Sequence, residues 1–399
     1  MSELSVLAVA GCRPNFVKLG PLMREMRRRD GIRPLLVHTG QHYDRRMSGV
    51  FFRDLGLPEP DVHLEVGSGS HAVQTARVME RIEGALLEHA PDLVLVVGDV
   101  NSTVAAALTA VKLGIPVAHV EAGLRSFDRE MPEEVNRMVT DSISDLLFAT
   151  EASAVENLRR EGVAEDKVRL VGNVMVDALL GSLPRIARSR ALERWGLAAR
   201  GYAVLTLHRP DNVEDPEAAR GIVEAVAELA RRLPIVFPVH PRTRERFTAM
   251  GLWPALEEAG GGGAVRCTGP LGYVDFLKLV REAALVLTDS GGLQEESTVL
   301  GVPCVTLRES TERPATVTEG TNRLAGKDPR SIVAAAREAL GIEREVSSGS
   351  RAPRVPQLWD GRASERIVET LLGEAERIRG LYRGLRARTT WRRLPASAA

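Results

Sequence analysis

Leu285-Val286-Leu287 is a short apolar run that ends in Thr288-Asp289-Ser290-Gly291-Gly292 and passes straight into the helical pattern Leu293-Gln294-Glu295-Glu296. A run this short, bounded by turn residues and followed by a helix, reads as a strand buried on both faces, as in parallel sheets covered by helices. Ser290, Gly291 and Gly292 would then present unpaired backbone N–H groups at a helix N-terminus, where an anion is stabilised. Glu296 falls about one turn into that helix. A carboxylate there can accept hydrogen bonds from the two hydroxyls of a ribose, which points to a nucleoside diphosphate. An ordinary strand-to-helix turn with a capping serine has the same pattern, so the junction alone leaves both readings open.

The same unit recurs along the first half of the chain. Ser5 to Ala10 is an apolar strand that ends in Gly11-Cys12-Arg13-Pro14-Asn15-Phe16-Val17-Lys18, with a helical pattern through Arg29. Arg13 and Lys18 stand where a dinucleotide-binding protein shows G-x-G-x-x-G. Two cations there suit a phosphate or a leaving-group charge; solvated loop side chains are the alternative. Pro34 to Thr39 is the second strand and runs into Gly40-Gln41-His42. The spacing predicts a helix over His71 to His89, then a buried strand, Asp92 to Val97, with Asp99 at its end. Ser102 to Leu113 is a small-residue helix suited to close approach to a sheet, and strand Val117 to Val120 ends at Glu121. Pro132 suits a helix start, with Glu133 and Glu134 in the first turn. For Glu134, favourable interaction with the helix dipole is explanation enough. Arg13, Asp99 and Glu121, each followed by a helix, fall on the carboxyl edge of one parallel sheet, where doubly wound sheets bind ligands.

Leu179 to Gly201 is charged and irregularly apolar and is expected to be connecting helix and linker. The alternation then resumes. Strands Ala203 to Leu207, Ile235 to Pro238, Leu285 to Leu287 and Cys304 to Leu307 deliver His208-Arg209, His240-Pro241-Arg242, Ser290 and Arg313 to their carboxyl ends. Gly260 to Gly263 reads as a loop. A terminal helix, Ala363 to Arg377, is expected to pack back across both halves, and the end of the chain is an arginine-rich tail.

Lys plus Arg equals Asp plus Glu at 53 each, so no global field favours nucleic acid or an anionic membrane, and any phosphate site must be local. The three cysteines, Cys12, Cys267 and Cys304, lack metal-ligand spacing and read as packing residues in a reducing compartment, with the cytoplasm as the default location. No metal motif and no membrane span is expected.

Taken together, Gly11-Cys12-Arg13-Pro14 with Lys18, Gly40-Gln41-His42, Gly98-Asp99, His119-Val120-Glu121-Ala122-Gly123-Leu124-Arg125, Pro132-Glu133-Glu134 with Asn136-Arg137, His208-Arg209, His240-Pro241-Arg242, Asp289 to Glu296 and Thr311-Glu312-Arg313-Pro314 resemble the signatures of the non-hydrolysing UDP-N-acetylglucosamine 2-epimerases, in order and over nearly the whole chain. The resemblance implies an α/β, glycosyltransferase-B-like architecture of two Rossmann-like domains with parallel sheets facing a cleft. The expected division is residues 1–172 with a C-terminal helix at about 363–385 as the first domain, 173–362 as the second, and 386–399 as a basic tail. By resemblance Asp99, Glu121, Glu133 and His208 form the catalytic group. Arg13, His240, Ser290, Gly291, Gly292 and Arg313 contact the diphosphate or its surroundings, Lys18 and Arg137 match substrate-binding positions of the family, Glu296 clamps the ribose, and Phe276 shapes the uracil site. Gln41 and His42 lie in a region where some relatives take substrate as an allosteric activator. A homodimer acting on a UDP-sugar without cofactor or metal is expected. Cys12 and Val100 depart from the threonines common at those places.

The chemistry agrees with that set. No carbonyl adjoins C2 of an aminosugar, so direct proton removal there leaves a carbanion with nothing to hold it. Oxidation of a neighbouring hydroxyl by a nicotinamide is disfavoured by the missing dinucleotide glycines. Breaking the anomeric C–O bond, expelling UDP and losing the C2 proton gives a glycal. That path needs cations and N–H groups on the diphosphate and carboxylates near C1 and C2.

Overall fold

The computed structural model describes residues 3–41, 57–347 and 355–388, apart from the side chains of Arg13, 342–347 and 386–388. The chain forms two compact units, Met1–Ala178 with Asp360–Ala399, and Leu179–Trp359.

In the first unit seven parallel strands stand in the order β3-β2-β1-β4-β5-β6-β7. They are β1 Leu4–Ala10, β2 Ile32–His38, β3 Val62–His63, β4 Leu93–Val97, β5 Val117–Ala122, β6 Leu146–Ala149 and β7 Val168–Leu170. Every residue of β1, β4, β5 and β6 is buried, because helices cover both faces of the sheet. Leu7, Val9, Val94 and Val96 pack on Ile82 and Leu86 of the helix His71–His89, and on Ala105, Ala106 and Ala110 of the helix Asn101–Lys112. The small residues of that second helix allow close approach: a Cβ on Gly11 would lie 2.8 Å from the Ser102 Cβ. The strand order reverses between β1 and β4, which places the topological switch point there.

The second unit repeats the plan with six parallel strands, β10-β9-β8-β11-β12-β13. They are β8 Ala203–Thr206, β9 Ile235–Pro238, β10 Val265–Thr268, β11 Leu285–Thr288, β12 Cys304–Thr306 and β13 Asn322–Leu324. Their core joins Leu205, Phe237, Leu287 and Val305 to Ile222, Val226, Phe247 and Ile332. Here the switch point lies between β8 and β11, the strands that carry His208 and the Ser290–Gly292 turn.

The stretch Leu179 to Gly201, expected to be connecting helix and linker, holds the end of the helix Val174–Arg188 and the short helix Ala191–Trp195. Leu179, Ile186 and Ala191 are fully buried, whereas Arg185, Arg188, Arg190, Glu193, Arg194 and Arg200 are exposed. Gly260 to Gly263 is a loop entered by a short 3-10 turn, Ala259–Gly261. The terminal helix ends at Gly373, is followed by Ala375–Gly380 and Arg383–Arg388, and packs on the first unit. Asp177 accepts from the Ala363 and Ser364 N–H groups at 3.1 and 2.6 Å, closing the helix start, and Arg29 reaches Glu369 at 3.3 Å. No helix among the described residues is long and apolar enough to cross a membrane.

Candidate active site

In the first unit the ends of β1, β4 and β5 converge. Asn15 ties the first two together: its Oδ1 accepts from the Gly11 and Cys12 N–H groups at 3.0 and 3.1 Å, while its Nδ2 donates to the Val97 carbonyl at 3.0 Å. Lys18, on the helix Arg13–Arg28, and Glu121, on β5, form a buried ion pair. Gly98 makes room for it. A Cβ there would stand 2.9 Å from Lys18 Nζ and 3.3 Å from Glu121 Oε2, and φ is +65°. Glu121 itself has φ 75°, a left-handed conformation that costs a non-glycine residue about 1–3 kcal/mol and is found most often at functional sites.

Asp99 meets Arg137 at 2.5 Å, and Arg137 meets Glu134 at 2.6 Å. Glu134 is buried and also accepts from the Ser126 and Phe127 N–H groups at 3.0 and 2.9 Å. Burial pushes its carboxyl up, but those N–H groups and Arg137 bring it below the ordinary value. Helix-dipole complementarity therefore understates Glu134, which fastens the loop after β5 to the Asp99 partner. Glu133 is half-buried and has no hydrogen bond or ion pair among the described residues. The Cys12 thiol, pushed up to about 12 by burial, lies within electrostatic reach of Lys18, Asp99 and Glu133, which places these three groups in one neighbourhood. Arg13 opens its helix, but its side chain lies outside the described parts. Gln41 is buried, with its Oε1 on Ser102 Oγ at 2.8 Å and its carbonyl on Gln74 at 3.1 Å; His42 lies outside the described residues.

A second layer supports β5; the motif His119 to Arg125 contains three of its members, and Asp141 lies outside all the motifs. His119 is fully buried between the Asp141 carboxylate, 2.6 Å from Nδ1, and the Gly98 carbonyl, 2.8 Å from Nε2. Asp141 also accepts from Gly123 N–H at 3.0 Å and pairs with Arg125 at 2.7 Å. Burial raises its carboxyl, yet His119 and Arg125 hold it below the usual range.

In the second unit Asp289 is the hub at the end of β11. Fully buried, it accepts from the His208 and Arg209 N–H groups at 3.0 and 2.9 Å and meets His208 Nδ1 at 2.8 Å. With Nδ1 engaged and the ring 53% exposed, Nε2 is the nitrogen available to a ligand. The helix Gly291–Leu300 begins with Ser290 as its N-cap, but the serine side chain makes no cap bond and the first turn holds no acid. The capping-serine reading therefore lacks its defining bond. Beside this helix start lie Arg209 to Glu312 at 3.3 Å, Arg308 to Glu312 at 2.8 Å and Arg313 to Glu295 at 2.6 Å. Three guanidiniums thus cluster beside the helix start, among the carboxylates of Glu295, Glu312 and Asp289. Burial raises the Glu312 carboxyl, but the three arginines hold it far below the usual range. Gly291 fits because a Cβ there would lie 2.6 Å from Glu312 Oε1.

Glu296 is buried and accepts from Tyr273 Oη at 3.0 Å; burial pushes it up to about 7. His240 caps the helix Pro241–Ala249, its Nδ1 accepting from Arg242 N–H at 3.3 Å. The Arg242 guanidinium pairs with Glu214. Phe276 packs with the apolar cluster around Tyr202 and Val204. A cavity of about 360 Å³ opens at the amino-terminal edge of this sheet, beside Leu229, Leu285 and Leu340, and takes in none of these residues. Among the described residues no group of three or more His, Cys, Asp or Glu is arranged to hold a metal ion.

The model of the family described as UDP-N-acetylglucosamine 2-epimerase matches residues 24–372. The chain is 42% identical over 368 residues to the UDP-N-acetylglucosamine 2-epimerase of Methanocaldococcus jannaschii, covering 91% of this chain and 97% of that one. It is 41% identical over 373 residues to the UDP-2,3-diacetamido-2,3-dideoxy-D-glucuronate 2-epimerase of Pseudomonas aeruginosa, covering 92% and 99%. The crystal structure of the M. jannaschii UDP-GlcNAc 2-epimerase in complex with UDP-GlcNAc and UDP superposes with a TM-score of 0.83 at 40% identity, covering 92% and 99%. The two parallel-sheet domains are those of the glycosyltransferase-B-like fold.

Proposed function

The chain belongs to the UDP-N-acetylglucosamine 2-epimerase family, and from that premise we propose that it is an isomerase that interconverts UDP-N-acetylglucosamine and UDP-N-acetylmannosamine by inversion at C2. The observation that carries the reading is the carboxylate set of the first unit, Asp99, Glu121 and Glu133, gathered with Lys18 at the sheet's switch point. A UDP-binding protein without this chemistry has no use for a buried Lys18–Glu121 pair on a strained backbone.

The reaction runs by elimination and re-addition. The C1–O bond breaks, its electron pair leaves on the UDP oxygen, and the C2 proton passes to a carboxylate as the C1=C2 bond of the glycal forms. A proton delivered to the other face of C2, with UDP attacking C1, gives the epimer. The carboxylates of the first unit do the proton work. Arg313, the Ser290–Gly292 N–H groups and His208 Nε2 stabilise the departing diphosphate, where each preorganised donor contributes roughly 3 kcal/mol to the barrier. Arg13, Lys18, Arg137 and His240 complete the charge balance around it. Glu296 takes the ribose hydroxyls and Phe276 borders the uracil. We assign Gln41 and His42 to a regulatory contact and expect a homodimer, checked by light scattering. Its three free thiols suit the cytoplasm.

Incubation with UDP-N-acetylglucosamine in D2O tests the reading. Deuterium at C2 and the intact manno nucleotide sugar are expected. Free N-acetylmannosamine with UDP would identify a hydrolysing enzyme, and absence of both exchange and epimer would refute epimerisation. The similarity to the diacetamido-glucuronate epimerase favours that modified UDP-sugar as the second substrate to assay.

A further inference from the structure

Three groups on the helix Pro132–Ile143 reach toward strand ends at four-residue intervals, the spacing that keeps side chains on one helix face. Glu133 stands in the electrostatic neighbourhood of Cys12, Arg137 binds Asp99, and Asp141 grips β5. The proposed chemistry uses the first two directly and leaves Asp141 without a task, although it is buried and joined to the His119 ring and the Arg125 guanidinium.

Its partners show the task. The β5–β6 pairing shifts register between Val120 and Ala122, so Glu121 is the bulged residue, with φ 75°. Asp141 holds the chain on both sides of that bulge: Oδ1 meets the His119 ring two residues before it, and Oδ2 takes the Gly123 N–H two residues after it. Gly123 has φ +82°, and a Cβ there would come within 2.3 Å of the Ala154 carbonyl oxygen. Its own carbonyl is held by Asn157 at 3.0 Å, so this side of the bulge has one fit. On the other side His119 passes the grip to the Gly98 carbonyl, the last peptide before Asp99. Both ring nitrogens face oxygens, so the ring is fixed from both sides. A relaxed β5 would turn alternate side chains to opposite faces and swing the Glu121 carboxylate away from Lys18.

We infer that Asp141 is a positioning residue for the reaction proposed above: through His119 and Gly123 it maintains the bulge that aims Glu121 at Lys18, and through His119 and Gly98 it sets the turn that carries Asp99. It touches no substrate, and it couples two of the proposed acid–base groups into one rigid frame.

The inference rests on the epimerase reading, so wild-type enzyme is assayed first for C2 deuterium incorporation from D2O; if there is none, the reading and the inference fall together. With wild type active, Asp141→Asn is the decisive variant. The expected result is a kcat about 100-fold lower with KM for the UDP-sugar within about threefold, equivalent to ~2.7 kcal/mol of transition-state stabilisation. UDP affinity by calorimetry stays within about threefold, because Ser290, Glu296 and Arg313, the proposed main contacts to the diphosphate and ribose, belong to the other unit. Wild-type kcat in folded Asp141→Asn overturns the inference and leaves the epimerase reading intact. So does a parallel loss of kcat, KM, UDP binding and melting temperature, which marks a purely structural residue. If Asp141→Asn does not fold, His119→Gln decides by the same criteria, since it spares the Asp141–Arg125 pair and the Gly123 bond; its expected loss is about 10-fold in kcat.

Discussion

Glu296→Gln separates what the protein gives up in stability from what it gains in binding. Glu296 is buried, with Tyr273 Oη 3.0 Å from Oε1. Burial lifts its carboxyl from 4.5 to about 7, opposed in part by that hydroxyl. Because the folded-state value is the higher one, the unfolded chain loses the proton first. Stability is therefore whole below about pH 4.5 and falls as pH rises toward 7. The gap of about 2.5 between the two values, at 1.36 kcal/mol for each, makes the ionised carboxylate cost about 3 kcal/mol above pH 7. Glutamine carries no charge and still accepts from Tyr273. Glu296→Gln should match wild type near pH ~4 and exceed it by about 3 kcal/mol near pH ~8. Urea unfolding followed by tryptophan fluorescence reads chiefly the second unit, since three of the four tryptophans, Trp195, Trp253 and Trp359, lie in it; Trp391→Phe removes the fourth. The ribose role predicts the opposite sign for ligand: UDP affinity of the variant at high pH should fall by roughly 10-fold or more, the worth of a hydrogen bond to a charged group. Equal urea midpoints at high pH, or a gap that does not change with pH, would refute the burial argument. Undiminished UDP affinity would remove Glu296 from the ribose.

Lys18→Met should abolish epimerisation and destabilise the first unit by about 3–5 kcal/mol, because it strands the buried Glu121 carboxylate; the double variant with Glu121→Gln should recover most of that stability in thermal melts and none of the activity. Gly291→Ala should weaken UDP binding in calorimetry by at least about 10-fold, since the new methyl must displace Glu312, 2.6 Å away; unchanged affinity would separate the turn from the diphosphate. Cys12, Cys267 and Cys304, pushed up to about 12, 11 and 12 by burial, should resist iodoacetamide near neutral pH until the protein is unfolded. Rapid labelling of native protein, read by intact mass, would contradict that.

The strands most sharply legible in the sequence are those buried on both faces, because they appear as uninterrupted apolar runs; β2, expected from Pro34 and found at Ile32–His38, is partly buried and begins two residues before its expected start. β1, β4, β8, β9 and β11 lie within a residue or so of their expected limits. β10, with sequence Val265-Arg266-Cys267-Thr268, and β13, Asn322-Arg323-Leu324, lie at sheet edges. An edge strand exposes part of its surface and loses the apolar signature, so nothing marked these two in advance. The helix Val174–Arg188 is legible only in part: a connecting helix is expected from Leu179, but the buried first turns, Val174 to Leu179, begin before that point and Pro184 interrupts the pattern.

For the candidate site, location was legible and pairing was not. That parallel strands share one carboxyl edge is enough to gather Asp99 and Glu121 from a linear reading. Nothing in local sequence says that Lys18 faces Glu121 rather than Asp99, or that Arg137 is divided between Asp99 and Glu134. Those partners are set by side-chain reach across strands distant in the chain. The layer beneath is harder to read: His119 stands in one of the motifs but without a role there, and Asp141 resembles any acid in a helix. What distinguishes them is total burial of polar side chains, which is tolerated only where every polar atom is matched. A buried and fully matched polar cluster behind a residue held at φ 75° is the arrangement expected where the fold must hold a reacting group against its backbone preference. The same reasoning separates the two units: the first spends buried polar groups on orientation, whereas the second concentrates guanidiniums beside an uncapped helix start, as holding an anion requires.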